Sequence, residues 1–311
     1  MKILITCPPM LRGINNLRHY FDEKGIELVL PEVVQTLTED QLLELVPTVD
    51  GWIIGDDPAT EKVFTAGVAG KLKAAVKWGV GVDNVDFKAA EKLGIPISNT
   101  PRMFGNEVAD MAMAYFLGLA RESYKVDREV RKNNWIKPPG ISLTGKTVAL
   151  VGLGDIGLGT ARRLKGFDVK INAYDPFTKL TPAEANADEI LQFPDQLEKA
   201  DFVILTCALT PSSYHLVNAN SIALMKDGVY IINVSRGGLI DEPALVDALN
   251  SGKVKAAGLD VFETEPLPAD HPFRDFEQCI FGTHNGSNTK EAVVRASLRA
   301  IELIFGYLEI K

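Results

Sequence analysis

Residues 146–175 have the sequence KTVALVGLGDIGLGTARRLKGFDVKINAYD, and this stretch decides the fold. Its apolar run at 148–151 predicts a buried strand, residues 158–165 predict a helix, and the second apolar run at 169–174 predicts another strand. A glycine-rich turn lies between the first strand and the helix, and Asp175 follows the second strand directly. The order of strand, turn, helix, strand and acid predicts a βαβ unit.

The glycine-rich turn is typical of a site that binds the pyrophosphate of a dinucleotide. The first glycine permits the tight turn, the second lets the pyrophosphate approach the backbone, and the third lets the helix pack close to the strand. The acid that ends the second strand, 18 residues after the third glycine, is placed to accept hydrogen bonds from an adenosine ribose and to repel a 2′-phosphate, which favours NAD over NADP. The predicted NAD-binding residues of this stretch are Gly152, Gly154, Asp155, Ile156, Gly157 and Asp175.

Length and composition limit the classes of protein to consider. A chain of 311 residues with 46% hydrophobic and 24% charged residues predicts a globular protein of two domains. The net charge of −8 argues against nucleic acid and anionic membranes as partners. No stretch approaches the roughly 18 apolar residues of a membrane span. The start MKILITCPPM predicts a first strand, not a signal peptide.

The cysteines and the other strand patterns extend this prediction. Cys7, Cys207 and Cys279 are widely spaced and odd in number, which predicts reduced thiols, no metal site and a cytoplasmic location. Short apolar runs separated by segments of helical length predict a first parallel α/β layer before residue 99. The runs lie at 2–6, 26–30, 51–54, 74–78 and 95–98, with helices at 40–46 and 87–93 among the intervening segments.

Two long helical segments complete the predicted organisation. One, from 111 to about 132, is expected to link the two domains, and the other, from 290 to about 308, is expected to return to the first domain. The predicted fold class is α/β, with two Rossmann-like or flavodoxin-like domains, parallel sheets and the active site in the interdomain cleft. The predicted domains are a discontinuous substrate-binding domain, 1–98 plus 287–311, and an NAD-binding Rossmann domain, 99–286.

Later segments place polar residues just beyond predicted strand ends, where α/β sheets bind ligands. Arg236 can hold a carboxylate bidentately and polarise the neighbouring carbonyl. His284 can give or take a hydroxyl proton near neutral pH, and Glu265 beside it would favour the imidazolium. Asp260 can anchor a nicotinamide carboxamide, although a capping role at the strand end is an alternative. This set predicts hydride transfer to a 2-keto acid.

The chain resembles the D-isomer-specific 2-hydroxyacid dehydrogenases over nearly its whole length. The motifs are GVGVDNVD, NTP followed by EVAD, LTGKTVALVGLGDIG, NVSRGGLID, AGLDVFETEP and a late His-x-Gly, in that order. The resemblance implies that Arg236, Glu265 and His284 are catalytic and that Asp175 and Asp260 contact NAD. It also implies that the amides of Gly79, Val80 and Gly81 bind the substrate carboxylate, and that the protein is a homodimer.

The choice of substrate is less determined. Many phosphoglycerate-specific relatives carry an Arg where this chain has Gly55-Asp56-Asp57, which disfavours a phosphorylated substrate. Lys77, Trp78 and Arg102 are candidate substrate contacts. The predicted partner is a small 2-keto or 2-hydroxy acid; the alternatives are a phosphorylated substrate and a non-catalytic, corepressor-like NAD(H) sensor. Structural roles are expected for the three other histidines, His19, His215 and His271.

Overall fold

Two fully parallel sheets organise the chain, which the computed structural model describes over residues 1–310. The chain divides into a first unit, Met1–Met103 with Asn288–Lys311, and a second unit, Phe104–Ser287. Each sheet belongs to one unit. The predicted α/β fold class with parallel sheets is therefore confirmed.

The first unit alternates strands and helices up to residue 99. Its five strands have the order β2-β1-β3-β4-β5, the doubly wound order of flavodoxin-like sheets. The side chains of β3 and β4 are buried throughout, as expected for a sheet covered on both faces. The elements are β1 (Lys2–Ile5), α1 (Pro8–Arg12), α2 (Arg18–Asp22), β2 (Glu27–Val29), α3 (Glu39–Leu45), β3 (Gly51–Ile54), α4 (Glu61–Ala69), β4 (Ala74–Lys77), α5 (Phe87–Lys92) and β5 (Ile97–Asn99).

The second unit begins with two helices and continues with a seven-stranded sheet. Its elements are α6 (Gly105–Arg121), α7 (Ser123–Arg131), β6 (Thr147–Val151), α8 (Asp155–Leu164), β7 (Lys170–Tyr174), α9 (Pro182–Ala185), β8 (Glu189–Leu191), β9 (Phe202–Leu205), α10 (Ala219–Leu224), β10 (Val229–Asn233), α11 (Glu242–Ser251), β11 (Val254–Leu259) and β12 (Ile280–Phe281). The last helix, α12 (Lys290–Tyr307), packs against β3 and β4 of the first unit.

The strand order of the second sheet identifies its ligand-binding edge. The order β12-β11-β10-β9-β6-β7-β8 is the Rossmann order with one strand added at the edge. The strand order reverses between β6 and β9, and dinucleotides bind outside the carboxyl ends of the strands at such a switch point. The glycine turn after β6 lies at this point. The loops after β10, β11 and β12 leave the same edge of the sheet.

The prediction of a single helix from 111 to about 132 is wrong in one respect. The segment forms two helices, because Glu122 adopts a left-handed conformation with φ +50°. A Cβ on Gly118 would come within 2.6 Å of the Tyr124 ring. The missing side chain at Gly118 therefore makes room for Tyr124 where α7 turns back against α6.

Residues 99–103, which the predicted boundary placed with the second domain, lie with the first unit. The physical reason is local. Asn99 still belongs to β5, and the N–H of Thr100 donates to the carbonyl of Gly79 at 3.1 Å. The segment is therefore bound to the end of β4.

Within residues 1–310, no helix is both long and apolar enough to cross a membrane. The same residues contain no group of three or more His, Cys, Asp or Glu side chains arranged to hold a metal ion. Cys7, Cys207 and Cys279 are free thiols.

Candidate active site and cofactor-binding loop

At each of the three glycine positions after β6, the geometry favours glycine for a different reason. Gly152 has φ +101°, and a Cβ there would come within 2.6 Å of the Cys207 backbone nitrogen. A Cβ on Gly157 would overlap the carbonyl oxygen of Gly152, so α8 can pack this close to β6 only with glycine. Around Gly154, by contrast, the space within 4 Å of a built Cβ is open. The loop thus leaves room for an anion at the second glycine, in front of the N-terminus of α8.

The Asp175 carboxylate holds this loop at the end of β7. Its Oδ2 accepts the N–H of Leu153 at 2.8 Å, and its Oδ1 accepts the N–H of Phe177 at 2.9 Å. A carboxylate oxygen can accept more than one hydrogen bond, so these contacts leave capacity for ribose hydroxyls. Burial raises the pKa of the neighbouring Cys207 thiol to about 11, and the cysteine beside the loop therefore stays neutral.

Asp155 and Ile156 lie between the second and third glycines, at the start of α8. Asp155 is exposed, and its carboxylate lies against Gly105 at the first turn of α6. The two are so close that a Cβ on Gly105 would overlap the carboxylate. Ile156 is half-buried, and its carbonyl accepts the hydroxyl of Thr160 at 2.9 Å. The open space at Gly154, the helix terminus and the Asp175 carboxylate together fit the pyrophosphate and ribose of NAD.

His284 and Glu265 form a pair beyond the ends of β12 and β11. The Nδ1 atom of His284 lies 2.8 Å from Glu265 Oε2, and both side chains are about one-fifth exposed. Glu265 Oε1 accepts the N–H of Phe262 at 3.0 Å, which fixes the carboxylate. A carboxylate at Nδ1 requires a proton on that nitrogen, so the ring presents Nε2 for proton transfer. The structure brings these two predicted residues together.

Arg236 follows β10 in the same unit and is half-buried. Its Nη1 donates to the carbonyl of Ser235 at 2.8 Å, and its own carbonyl accepts the amide of Asn233 at 2.8 Å. The next residue, Gly237, lies so close to the peptide between Phe262 and Glu263 that a Cβ would overlap it. The segment carrying Arg236 therefore packs backbone to backbone against the segment carrying Glu265.

Two further acid and histidine pairs support the Glu265 segment. Glu242 Oε1 accepts the N–H of Glu263 at 2.8 Å, and its Oε2 lies 3.1 Å from His271 Nε2. His215 Nε2 lies 2.6 Å from Glu263 Oε1. Burial raises the pKa of the Glu242 carboxyl. Sequence reasoning gave both histidines structural roles, but their acidic partners lie 29 and 48 residues away and left no local pattern.

Asp260 lies at the end of β11 and is almost completely buried. Its Oδ1 accepts the hydroxyl of Tyr115 at 3.0 Å, and its Oδ2 accepts the N–H of Gly286 at 2.7 Å. Its backbone carbonyl accepts the N–H of His284 at 2.6 Å. Asp260 thus binds the loop that carries His284. Sequence reasoning did not single out Tyr115, which lies 145 residues before Asp260.

In the first unit, the loop after β4 offers fewer amides than its sequence suggests. The N–H of Gly79 donates to Thr100 Oγ1 at 2.8 Å, and Gly79 has φ +122°. Within residues 1–310, the N–H groups of Val80 and Gly81 have no protein acceptor. Any anion bound by this loop would therefore meet the amides of Val80 and Gly81 first.

The three candidate substrate contacts of the first unit have different surroundings. Lys77 is 2% exposed, and its Nζ donates to the carbonyl of Gly55 at 2.6 Å and to Asp56 Oδ1 at 2.9 Å. The buried indole of Trp78 donates to Ser297 Oγ at 3.1 Å. Arg102 is exposed and has φ +58°. Lys77 and Trp78 thus have structural partners inside the first unit.

Comparisons with known proteins agree with this geometry. Residues 113–286 match the family model of the D-isomer specific 2-hydroxyacid dehydrogenase NAD-binding domain. The chain is 39% identical over 280 residues to hydroxypyruvate reductase from Thermotoga maritima, covering 88% of the chain and 90% of that protein. It is 38% identical over 308 residues to D-3-phosphoglycerate dehydrogenase from Methanocaldococcus jannaschii, covering 98% of the chain.

The chain spans only 57% of the length of that M. jannaschii protein. A solved structure from Thermus thermophilus superimposes with a TM-score of 0.88 at 31% identity, covering 99% of this chain and 97% of that one. Family model, relatives and fold all point in the same direction. The chain belongs to the D-isomer-specific 2-hydroxyacid dehydrogenase family, with the NAD-binding domain of that family in its second unit.

Proposed function

We propose that this protein is an NAD-dependent oxidoreductase that interconverts a small 2-keto acid and its D-2-hydroxy acid. The observation that carries the proposal is the pair of His284 and Glu265, 2.8 Å apart, in the same unit as the dinucleotide loop. Arg236 belongs to a segment packed directly against the Glu265 segment. These side chains supply the anion binding and proton transfer that reduction of a keto acid requires.

Each side chain has one role in the proposed reaction. Arg236 binds the substrate carboxylate and polarises the adjacent carbonyl, which prepares its carbon to accept a hydride. The glycine loop after β6 and Asp175 would hold NADH, which would supply the hydride when bound. His284 Nε2 gives its proton to the carbonyl oxygen, and Glu265 stabilises the imidazolium before the transfer. In the first unit, the Val80 and Gly81 amides are the proposed further ligands for the carboxylate.

We propose an unphosphorylated substrate, because the charges after β3 and β4 oppose a phosphate. The only buried ammonium there, within residues 1–310, is that of Lys77, and it already binds Gly55 and Asp56. Asp57 adds a second carboxyl, which accepts the N–H groups of Leu37 and Gly55 and gives a phosphate no cation to bind. Because some relatives are named D-3-phosphoglycerate dehydrogenase, a phosphorylated substrate is the alternative to be tested.

A screen of 2-keto acids with NADH, followed at 340 nm, tests the proposal. It should include glyoxylate, hydroxypyruvate, phosphohydroxypyruvate and bulkier keto acids. Oxidation of NADH with an unphosphorylated acid and formation of the D-isomer are the expected results. Preference for phosphohydroxypyruvate would overturn the proposed substrate class. NADH binding without turnover of any acid would favour the alternative of an NAD(H)-sensing, corepressor-like protein.

Replacement of Asp175 by Ala is expected to relax the preference for NAD over NADP. The variant loses the carboxylate that would repel a 2′-phosphate, so kcat/KM with NADPH relative to NADH should rise about tenfold, equivalent to about 1.4 kcal/mol. Steady-state kinetics with both cofactors measures the ratio. Asp227→Ala is the control, because that side chain is 91% exposed. An unchanged ratio in Asp175→Ala would exclude the ribose-binding assignment.

We also propose a homodimer that uses the region of α6 and α7. Four large apolar side chains are exposed between residues 117 and 135: Leu117, Tyr124, Val130 and Trp135, the last 82% exposed. Such clustering on one region is typical of a protein interface. Trp135→Glu should shift the mass measured by light scattering towards the monomer. Val34→Glu, at a site 84% exposed in the first unit, should leave the mass unchanged. A monomeric wild-type protein would contradict the proposal.

We propose a cytoplasmic location. The support is chemical: all three cysteines are free thiols, and free thiols persist in a reducing compartment. Fractionation of cells that express the full-length gene product would test this location, and recovery outside the cytoplasm would contradict it.

A further inference from the structure

The hydroxyl of Tyr115 lies buried against the carboxylate at the end of β11. Tyr115 belongs to α6 and is 3% exposed, and its hydroxyl donates to Asp260 Oδ1 at 3.0 Å. The ring occupies space that two glycines leave. A Cβ on Gly258 would come within 2.8 Å of Tyr115 Cβ, and one on Gly282 would overlap both the Tyr115 hydroxyl and Asp260 Oδ1. The backbone of β11 and the following loop are therefore shaped around this phenol.

Asp260 transmits the contact to the loop that carries His284. Its carbonyl accepts the N–H of His284 at 2.6 Å, and its Oδ2 accepts the N–H of Gly286 at 2.7 Å. His284 is the first of these two bound residues and has φ +54°, a conformation that non-glycine residues seldom adopt. Such a conformation persists only where the surrounding contacts enforce it. The Asp260 carboxylate supplies one of those contacts, and Tyr115 fixes that carboxylate.

We infer that Tyr115 is a positioning residue for proton transfer, acting on His284 through Asp260. The inference rests on the proposed function, because it presupposes that His284 is the proton donor. Tyr115 itself lies in the helix before the Rossmann sheet and touches neither His284 nor the glycine loop through any bond within residues 1–310. Its role is to hold Asp260 Oδ1, for which it is the single protein donor in that part of the chain.

The surroundings of the Tyr115 hydroxyl favour its neutral form, which can donate a hydrogen bond. Burial, and next the charge of Asp260, raise the pKa of the Tyr115 hydroxyl well above its ordinary value of 10.0. The hydroxyl therefore stays protonated at neutral pH and can donate to Asp260. Removing it would leave a buried carboxylate oxygen without its protein donor and would loosen the carboxylate that holds the His284 loop.

The variant Tyr115→Phe removes the hydroxyl and keeps the ring. We expect kcat to fall about tenfold, since small misplacements of a catalytic group slow the chemical step. The primary deuterium isotope effect with NADH labelled at the transferred position should rise towards its full value. The KM for the keto acid should stay within about twofold. The concentration of active sites is measured by fluorescence titration with NADH. The rate is divided by this concentration, so that kcat refers to folded protein even in a less stable variant.

Tyr174→Phe is the matched control. Tyr174 is also buried, at 2% exposure in β7, and its hydroxyl donates to the carbonyl of Asp195 at 2.7 Å. This variant should lose similar thermal stability and keep the wild-type kcat and isotope effect. Equal changes in kcat and isotope effect in both tyrosine variants, or no change in Tyr115→Phe, would overturn the inference.

His284→Ala separates this inference from the function on which it rests. A large loss of kcat in His284→Ala with a wild-type kcat in Tyr115→Phe would remove only the positioning role. Retention of kcat by His284→Ala would overturn both, because the proton donor would then lie elsewhere.

Discussion

Replacement of His284 by Ala is expected to lower kcat about 10²- to 10⁴-fold, the usual contribution of a positioned proton donor. The reason is geometric. The ring is held through Nδ1 by Glu265 at 2.8 Å and through its backbone by Asp260, so that Nε2 is the nitrogen available for the carbonyl oxygen. Alanine keeps the backbone bond and removes only the imidazole.

The measurement is the steady-state rate with NADH and the best keto acid of the screen, normalised to NADH-binding sites. NADH affinity should change little, because the dinucleotide loop lies on β6 and α8. His19→Ala, an exposed histidine of α2, is the control and should keep the wild-type kcat. A kcat near wild type in His284→Ala would refute the assignment of the proton donor.

Replacement of Glu265 by Gln tests the role of the carboxylate beside His284. In Glu265→Gln the side chain keeps its shape and loses its charge, so the imidazolium loses its stabilisation while Nδ1 retains a hydrogen-bond acceptor. The loss of kcat should therefore be smaller than in His284→Ala. Steady-state kinetics of the two variants under the same conditions measures this difference.

The dinucleotide loop could be predicted from sequence because its requirements are local. A left-handed turn at Gly152, close packing at Gly157 and open space at Gly154 are properties of the backbone that only glycine satisfies together. The acid at Asp175 follows the strand directly, so its place relative to the loop is fixed by the βαβ unit. The alternation of strand and helix patterns predicted the α/β fold class, which the structure confirms. The resemblance of several motifs predicted the family, which the comparisons confirm.

What sequence reasoning missed depends on partners distant in the chain. Lys77 was a candidate substrate contact in the sequence, yet Gly55 and Asp56 bind it in the interior of the first unit. Tyr115 is one more apolar position of a helix in the sequence pattern, and only the fold brings it to Asp260. The break at Glu122 was missed because helix propensity continues through it, while the contact between Gly118 and Tyr124 that accompanies the turn exists only in the folded chain. Pairings of this kind arise from tertiary structure, on which local patterns carry no information.

Replacement of Arg236 by Lys is expected to lower kcat/KM about 10²- to 10³-fold. This is the usual effect of removing one preorganised donor to a developing oxyanion. Lysine keeps the positive charge, so the loss isolates the planar fork of the guanidinium, which alone can bind a carboxylate bidentately. The segment itself should stay in place, because Gly237 still packs against the peptide of Phe262 and Glu263.

The decisive comparison uses two substrates. If Arg236 binds the substrate carboxylate, Arg236→Lys should lose most of its kcat/KM with the keto acid and far less with the matching carbonyl compound that lacks the carboxylate. Arg299→Lys, a partly exposed arginine of α12 paired with Glu302 at 2.6 Å, should behave as wild type with both. Equal losses with the two substrates would mean that Arg236 acts only on the carbonyl. Partial recovery of Arg236→Ala by added guanidinium would then distinguish a missing guanidinium from a displaced loop, because a displaced loop would not respond to the free ion.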